Sequence, residues 1–293
     1  MRTRFHDPSK LREYEETSMR VFKYALMIVM ITASLPIAWA DDIPWGLNPN
    51  LNDKIFIGLG TFYAAKSSTT AQLNSETLGV GTSIDMQDAL GMGSTAWGPN
   101  AEFRWRMSES WRMELSYYWV SQSGSKSIDR DIQWGDVVFP INAQVNSKLN
   151  FSDLRTSVGY SFYKTSDKEL GVGLGLHWLW YQASLSSASQ GTEGGNLLAP
   201  LPVLSVYGGF ALNEQWSVNA RLDYFSLTYE QYHGGITVMA LNLLYQPFRH
   251  VGFGLGYSGT FLNFQADSTG LGSFQGKFNQ NLQGPTFYLT ASF

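Results

Sequence analysis

Residues 284–293 read GPTFYLTASF. Phe287, Leu289, Ala291 and Phe293 fall on one face at a strict period of two, and Thr286, Tyr288, Thr290 and Ser292 fall on the other. One face is apolar, the other is mostly hydroxyl, and the sequence stops on an aromatic carboxy-terminus. A half-buried strand of a soluble sandwich has the same alternation. A soluble domain, however, rarely ends inside a core strand. A membrane barrel does so routinely, because its last strand must close against its first and leave no free edge in lipid. The stretch predicts a closing strand, with Phe287, Leu289, Ala291 and Phe293 as its terminal signal.

The same alternation recurs upstream. Residues 55–65, 101–107, 111–120, 154–163, 170–180, 203–212, 216–229, 237–246 and 251–265 each alternate an apolar with a polar or glycine-rich face. Short turns are expected near Ser108, Thr165, Asn213 and Pro247. Long connections are expected at 66–100, 121–145, 184–199, 230–235 and 266–276. Short periplasmic turns opposite long external loops are the asymmetry of an outer-membrane barrel. The expected fold is therefore all-β: a closed antiparallel transmembrane β-barrel of about ten strands. Eight or twelve remain open, because 66–100 fits either an external hairpin or a segment folded into the lumen. Within 121–145, Gly135 and Asp136 mark a turn tip between two short extended arms.

Composition agrees. The 293 residues are 44% hydrophobic and 15% aromatic but only 15% charged, with 29 Gly; a soluble domain carries about 25% charged residues. There is no basic excess, which argues against a nucleic-acid partner. There is no cysteine, so neither disulfides nor thiolate metal sites are available.

The amino-terminal 40 residues read as a signal peptide. Arg20 and Lys23 precede the apolar run ALMIVMITASLPIA, which ends at Ala38-Trp39-Ala40 before Asp41 and Asp42. The run is shorter than the ~20 apolar residues of a helical span, and Pro36 interrupts it. Met19 is a candidate true start. The expected organisation is 1–40 signal peptide, 41–52 periplasmic segment and 53–293 barrel. Cleavage takes 6 of 20 basic and 4 of 24 acidic residues, leaving 14 against 20, a net charge of −6.

At IQWGDVVFPINAQV (132–145), APLPVLSVYGGF (199–210), LLYQPFRHVGFGLGY (243–257) and GPTFYLTASF the chain resembles an uncharacterised family of proteobacterial outer-membrane β-barrel proteins, loosely beside the OmpA/OmpX/OmpW-type barrels. The resemblance spans most of 53–293. It implies a Gram-negative outer-membrane location and brings no established substrate.

The polar phase of the strands carries Glu102, Arg104, Arg106, Arg112, Glu114, Arg155, Arg221 and Asp223. In a narrow barrel such charges must be paired or hydrated. Two readings follow: a salt-bridge network that props the wall, or a cationic constriction that selects anions, since five Arg face two Glu and one Asp. Gly171, Gly173, Gly175, Gly252, Gly254 and Gly256 share that inward phase and leave room for bulky neighbours such as arginine. Trp105, Trp111, Trp119, Trp178, Trp180 and Trp216 take the outward phase, as interfacial girdles do.

No catalytic residue, cofactor or metal site is assigned. His177, His233 and His250 fall on an inward strand face, an outer loop and a periplasmic turn, whereas a metal needs several ligands in one place. The functional expectation is a monomeric outer-membrane structural protein or narrow, anion-biased channel. The alternatives are a lipid or peptide hydrolase, in which His233 pairs with Glu230 or Asp267, and an adhesion module acting through 121–145 and 184–199. Expected partners are outer-membrane lipid and lipopolysaccharide, and the barrel-assembly machinery acting through the closing strand.

Overall fold

The computed structural model describes residues 47–229, 232–266 and 275–293. The expected signal peptide, the first residues of the 41–52 segment, and Glu230 and Asp267 lie outside the described residues.

Ten strands close into one antiparallel barrel. β1 (Ile55–Ala64) pairs with β4 (Ala96–Arg106), and the sheet continues through β5 (Trp111–Ser127), β8 (Gln144–Lys164), β9 (Lys168–Ser187), β10 (Gly191–Ala211), β11 (Trp216–Tyr229), β12 (Tyr232–Tyr245), β13 (Val251–Ala266) and β14 (Gly276–Ser292). β14 then returns to β1, with Phe56 opposite Ser292 and Phe62 opposite Thr286. The Ile55 amide donates to the Phe293 carbonyl at 2.8 Å and the Phe293 amide donates back at 2.9 Å. The closing strand read from residues 284–293 is in place, and the count is ten.

The four short turns fall where the sequence puts them. The opposite end differs from expectation in an instructive way. Residues 184–199 are mostly strand, because β9 runs to Ser187 and β10 starts at Gly191. Residues 232–235 belong to β12. β5 and β8 likewise extend well into 121–145. β8, β9 and β10 are 20 or 21 residues long, about twice the 9–11 that cross a bilayer. Their outward Ser, Gln and Asn residues in this half look like loop chemistry in one dimension. In three dimensions they form the wet outer wall of an extended barrel.

The segment 66–100 also resolves. After Ala64 the chain bends and continues as β2 (Lys66–Leu73), which leaves β4 and follows the upper part of β14. Gly284 sits at this branch, so close to the Tyr63 carbonyl that a Cβ would overlap it. β3 (Ile84–Asp85) adds to β2, and a helix over Met86–Leu90 turns into the lumen. Asp85 caps it by accepting from the amides of Gln87 and Asp88, and Gly91 ends it in the left-handed region at φ 64°. The expected turn tip at Gly135-Asp136 joins β6 (Ile132–Trp134) to β7 (Val137–Phe139), and this hairpin too folds inward.

The outward face fixes the membrane level. Across β11–β14 one row is Trp216, Tyr245, Phe253 and Leu289, with Trp216 and Tyr245 stacked at 4.4 Å. Eight residues further along β11 lies the row Tyr224, Thr237, Phe261 and Asn281. Eight residues of strand are about 26 Å along the strand, or roughly 20 Å along the membrane normal at a tilt of about 40°, close to the roughly 25 Å apolar band of a membrane barrel. Trp105, Trp111 and Trp119 are exposed on the outer wall, as expected. Trp97, tilted against Tyr63 with ring centroids 4.5 Å apart, joins them without a signal of its own in the sequence.

Candidate functional site

The turn-side half of the lumen holds all eight inward charges read from the sequence, and it organises them around arginine. Arg155 on β8 is 1% exposed. Its Nε donates to Asp223 Oδ2 at 2.8 Å, and its Nη1 donates to Glu114 Oε2 at 3.0 Å. Arg221 reaches the same Asp223 oxygen at 3.1 Å. Glu114 also pairs with Arg112 at 2.9 Å, and Arg112 lies 3.5 Å from Glu169. Glu169 takes both arms of Arg106, at 2.8 and 2.7 Å, the bidentate geometry that makes arginine the strongest carboxylate partner. These pairs run across β4, β5, β8, β9 and β11. They tie opposite walls together rather than coating one.

Two acids and one base of this network were not assigned from sequence. Glu169 belongs to β9, not to the preceding turn. Asp153 holds the Nδ1 of buried His177 at 2.8 Å, while His177 Nε2 lies 3.4 Å from Asp223. Parity was the available signal: 153 continues the inward series 155, 157 and 159, and 169 continues 171, 173 and 175. The correction changes the electrostatics. Among the described residues of this half, Arg104, Arg106, Arg112, Arg155 and Arg221 face Glu102, Glu114, Asp153, Glu169 and Asp223, with His177 beside Asp153 and Asp223. The excess of Arg over carboxylate counted from the sequence does not extend to the full set.

Of the six inward glycines, Gly171 and Gly254 make room for tyrosine, and none of the six lies against arginine. The Tyr207 ring lies over Gly159 and Gly171, where added Cβ atoms would run into it. Its outer face carries the Arg112 guanidinium 3.2 Å from the ring centroid, a cation–π contact. Tyr288 fills the space over Gly254 in the same way.

Both ends of this polar half are stoppered. At the turn end, a short helix over Pro49–Asn52 buries Leu51 in the mouth. Asn48 donates to the Asn213 carbonyl and Asn52 to the Ser166 carbonyl, each at 2.9 Å, so the segment is tied to two turns. Asp53 pairs with Arg249 at 3.0 Å, and Arg104 donates to the Asn50 carbonyl from inside.

At the loop end the lumen is apolar. Phe151 stacks on its cross-strand neighbour Tyr181 at 4.4 Å, and Tyr181 meets Phe278 at 4.3 Å, so β9 and β14 touch across the barrel. Ile84, Met86, Leu90, Ile128, Ile132, Trp134 and Phe139 pack on this ladder from the inserted helix and hairpin. Between the stoppers, a cavity of about 50 Å³ lies beside Glu102, Arg104, Arg221 and Tyr288, room for a few waters.

The three histidines do not meet. His177 is in the lumen, His233 is on the loop-side outer wall, and His250 stacks on Phe293 near the turns at 5.1 Å.

The chain matches no protein-family profile and no curated protein. Among solved structures it is similar to the outer-membrane protease OmpT from Escherichia coli, with a TM-score of 0.51 and 11% identity over 85% of this chain and 97% of that one. It also matches the outer-membrane protein OprG from Pseudomonas aeruginosa, with a TM-score of 0.35 and 10% identity over 86% of this chain and 99% of that one. The attachment invasion locus protein Ail of Yersinia pestis matches with a TM-score of 0.35 and 10% identity over 80% and 99%. At 11% identity the OmpT likeness is one of fold. The chain has the fold of an outer-membrane β-barrel, and its chemistry has to be argued from its own residues.

Proposed function

We propose that this protein is an outer-membrane barrel that works as a sealed scaffold rather than as an open conduit. One observation carries the reading: among the described residues, the lumen is crossed at three levels. These are the Asn48–Asp53 stopper, the arginine network and the aromatic core. Equal numbers of inward Arg and carboxylate groups remove the basis for anion preference. Phe287 and Leu289 of the closing strand face lipid, and that strand is the handle offered to the assembly machinery. His177, 1% exposed, is poorly placed to act as a base on an external lipid or peptide.

The test is planar-bilayer recording on the full chain. The sealed reading expects a silent membrane. Stepwise conductance that loses anion preference on charge reversal at Arg104 or Arg112 would restore the channel reading.

A surface-contact role is the second reading, favoured by the stiffness of the loop-end cap. Ser75 and Thr77 both bond Asp136, the Thr82 and Gln133 segments exchange two bonds, and the Gly135 amide donates to the Leu73 carbonyl. This cap presents Val80, 75% exposed, together with Leu78, Val138 and Ile141. The adhesion expectation thereby changes: 184–199 drops out as mostly wall, 121–145 narrows to 128–143, and 74–82, not part of that expectation, joins it. Loss of cell-surface binding by Val80→Ser/Val138→Ser, with the barrel still heat-stable, is the expected result.

A further inference from the structure

Beyond the loop-side girdle the wall is a split sheet. After Ala64 the chain leaves β4 and follows β14 as β2, and the ladder between β4 and β5 stops at Asn100 and Tyr118. β5 runs on to Ser127. β2 and β5 then face each other without a ladder between them, joined through side chains where Ser67 Oγ donates to Gln122 Oε1 at 2.9 Å.

The chain treats the two edges differently. On β2 the main chain is covered bond by bond. The Ser67 amide donates to the Ser94 carbonyl at 2.8 Å, and the Thr69 amide donates to Gln87 Oε1 at 2.8 Å. β3 pairs at Thr70 and Ala71, and the Leu73 carbonyl accepts from the Gly135 amide at 3.1 Å. β5 has no such cover. The turn fixes its parity: the Trp111 carbonyl accepts from the Met107 amide on the β4 side, and the Ser110 carbonyl accepts from the Ser161 amide on the β8 side. Odd residues of β5 bond toward β4 and even ones toward β8, and the β8 ladder reaches Ser127 without a register shift. Past the end of β4, the amides and carbonyls of Ser121, Ser123 and Ser125 point into the gap. Among the described residues none of them has a hydrogen-bond partner there. All three residues are exposed, whereas Ser184 and Ser186, outward on β9 with a strand on each side, are half-buried. The inserted helix ends beneath Gly124, where a Cβ would strike the Leu90 carbonyl, so it lies inside the wall and not along the edge.

A bare edge offers alternating donors and acceptors to one kind of partner, an extended chain. Trp119 is the last outward aromatic of β5, so the edge stands past the membrane band, in water. A second copy does not fit. In the same membrane its β5 runs in the same direction, and barrel strands tilted by about 40° cross at roughly 80° where two barrels meet. Charge narrows the choice further. On the outward faces of β5, β8 and β9 past Trp119, Lys148 is the one charged residue among the described residues, and it lies opposite Ser123. The short serine lets it reach across to an added strand. Lys126, on the other phase of β5, is exposed as well.

We propose that residues 121–125 of β5 bind an extended acidic segment of another protein by strand addition, main chain to main chain, with Lys148 facing an acidic side chain of the added strand. The proposal goes beyond the scaffold reading and takes from it only the level of the membrane.

The test is titration of the full chain in detergent with a synthetic peptide of about seven residues that alternates threonine, a strong strand former, with glutamate. Two companions are the same peptide with lysine for glutamate and the glutamate peptide N-methylated at every amide. The glutamate peptide is expected to bind. N-methylation is expected to weaken binding at least about tenfold, the scale of one or two lost main-chain hydrogen bonds. Ser123→Pro removes an edge amide and leaves the β8 ladder whole, since that ladder uses the even residues, and is expected to weaken binding about tenfold. Lys148→Glu is expected to abolish the preference for glutamate over lysine. Heat-shifted electrophoretic mobility checks that each variant is folded, and Lys148→Glu carries the test if Ser123→Pro is not. No binding of the glutamate peptide, equal binding of either companion, or unchanged binding by the folded variants overturns the proposal. Binding of the glutamate peptide by a chain that proves soluble without detergent would keep the edge and overturn the outer-membrane reading, so the two fail separately.

Discussion

β8 passes through two opposite worlds without changing phase. Along 144–151 its inward residues include Val145, Leu149 and Phe151, and its outward ones are Gln144, Asn146, Lys148 and Asn150. Along 153–162 the inward residues are Asp153, Arg155, Ser157, Gly159 and Ser161, and the outward ones include Leu154, Val158, Tyr160 and Phe162. Odd numbers point inward throughout, yet the chemistry of the two faces is exchanged at Ser152-Asp153. β9 makes the same exchange between His177 and Leu179.

A different force holds each half together. Beyond the girdle the outside is water, so burying apolar side chains in the lumen is driven by the hydrophobic effect. Within the band the outside is hydrocarbon, as apolar as leucine itself, and an oily lumen gains little over an oily wall. There the lumen can hold charges, provided that each finds a partner. One half is an ordinary hydrophobic core inside a water-facing barrel. The other is a satisfied ionic network inside a lipid-facing one.

The sharpest way to break this comparison is to unpair the network at its hub. Arg155→Ala leaves Asp223 and Glu114 short of a partner in a dry lumen, and is expected to cost about 3–5 kcal/mol. Urea unfolding of the barrel in lipid vesicles measures it. A loss below about 1 kcal/mol would mean that the polar half is hydrated and the pairing incidental. Phe151→Ala lies four residues away on the same face of β8. It should cost a comparable 3–5 kcal/mol, by cavity formation instead. The mechanisms separate on rescue. Replacing Arg106 and Glu169 together by apolar residues should cost less than either single change, whereas no second substitution inside the ladder repairs Phe151→Ala without restoring volume.

The next experiment sharpens the comparison from outside. Leu174, 68% exposed, and Ser184 both point outward on β9, one in the band and one beyond it. Leu174→Arg should cost about 2–4 kcal/mol, as arginine on a lipid-facing barrel position does. Ser184→Arg should stay within about 0.5 kcal/mol, as surface changes in water do. Equal penalties at the two sites would place both in the same solvent and erase the boundary.

Much of the wall was legible because period two survives in every strand and the short turns carry unmistakable Ser, Asn and Pro chemistry. The lumen charges Arg104, Arg112, Arg155 and Asp223 were legible for the same reason. What escaped has a common cause: the equation of apolar with outward. It holds only between the girdles. Beyond them Leu185 and Leu197 point inward among outward Ser, Gln and Asn, so the ends of β9 and β10 look like a loop. Asp153 and Glu169 each stand one residue before the alternating segments 154–163 and 170–180, where the local pattern alone does not carry the strand's parity. Trp134 and Phe139 sit in a hairpin whose inward fold depends on Tyr181 meeting Phe278, a contact between residues nearly a hundred positions apart that no local pattern encodes.

The smallest expected effect tests how strictly the apolar half is specified. Leu149 is fully buried in the loop-side core, on the inward face between Val145 and Phe151. Leu149→Met keeps volume and polarity nearly constant and should cost under about 1.5 kcal/mol, because hydrophobic packing accepts volume-conserving exchange. The isosteric-looking change Asp223→Asn, in the other half, should cost more. It removes the charge that Arg155 and Arg221 share while keeping the shape. Measured side by side by urea unfolding in vesicles, a larger loss for Leu149→Met than for Asp223→Asn would reverse the assignment of packing to one half and charge pairing to the other.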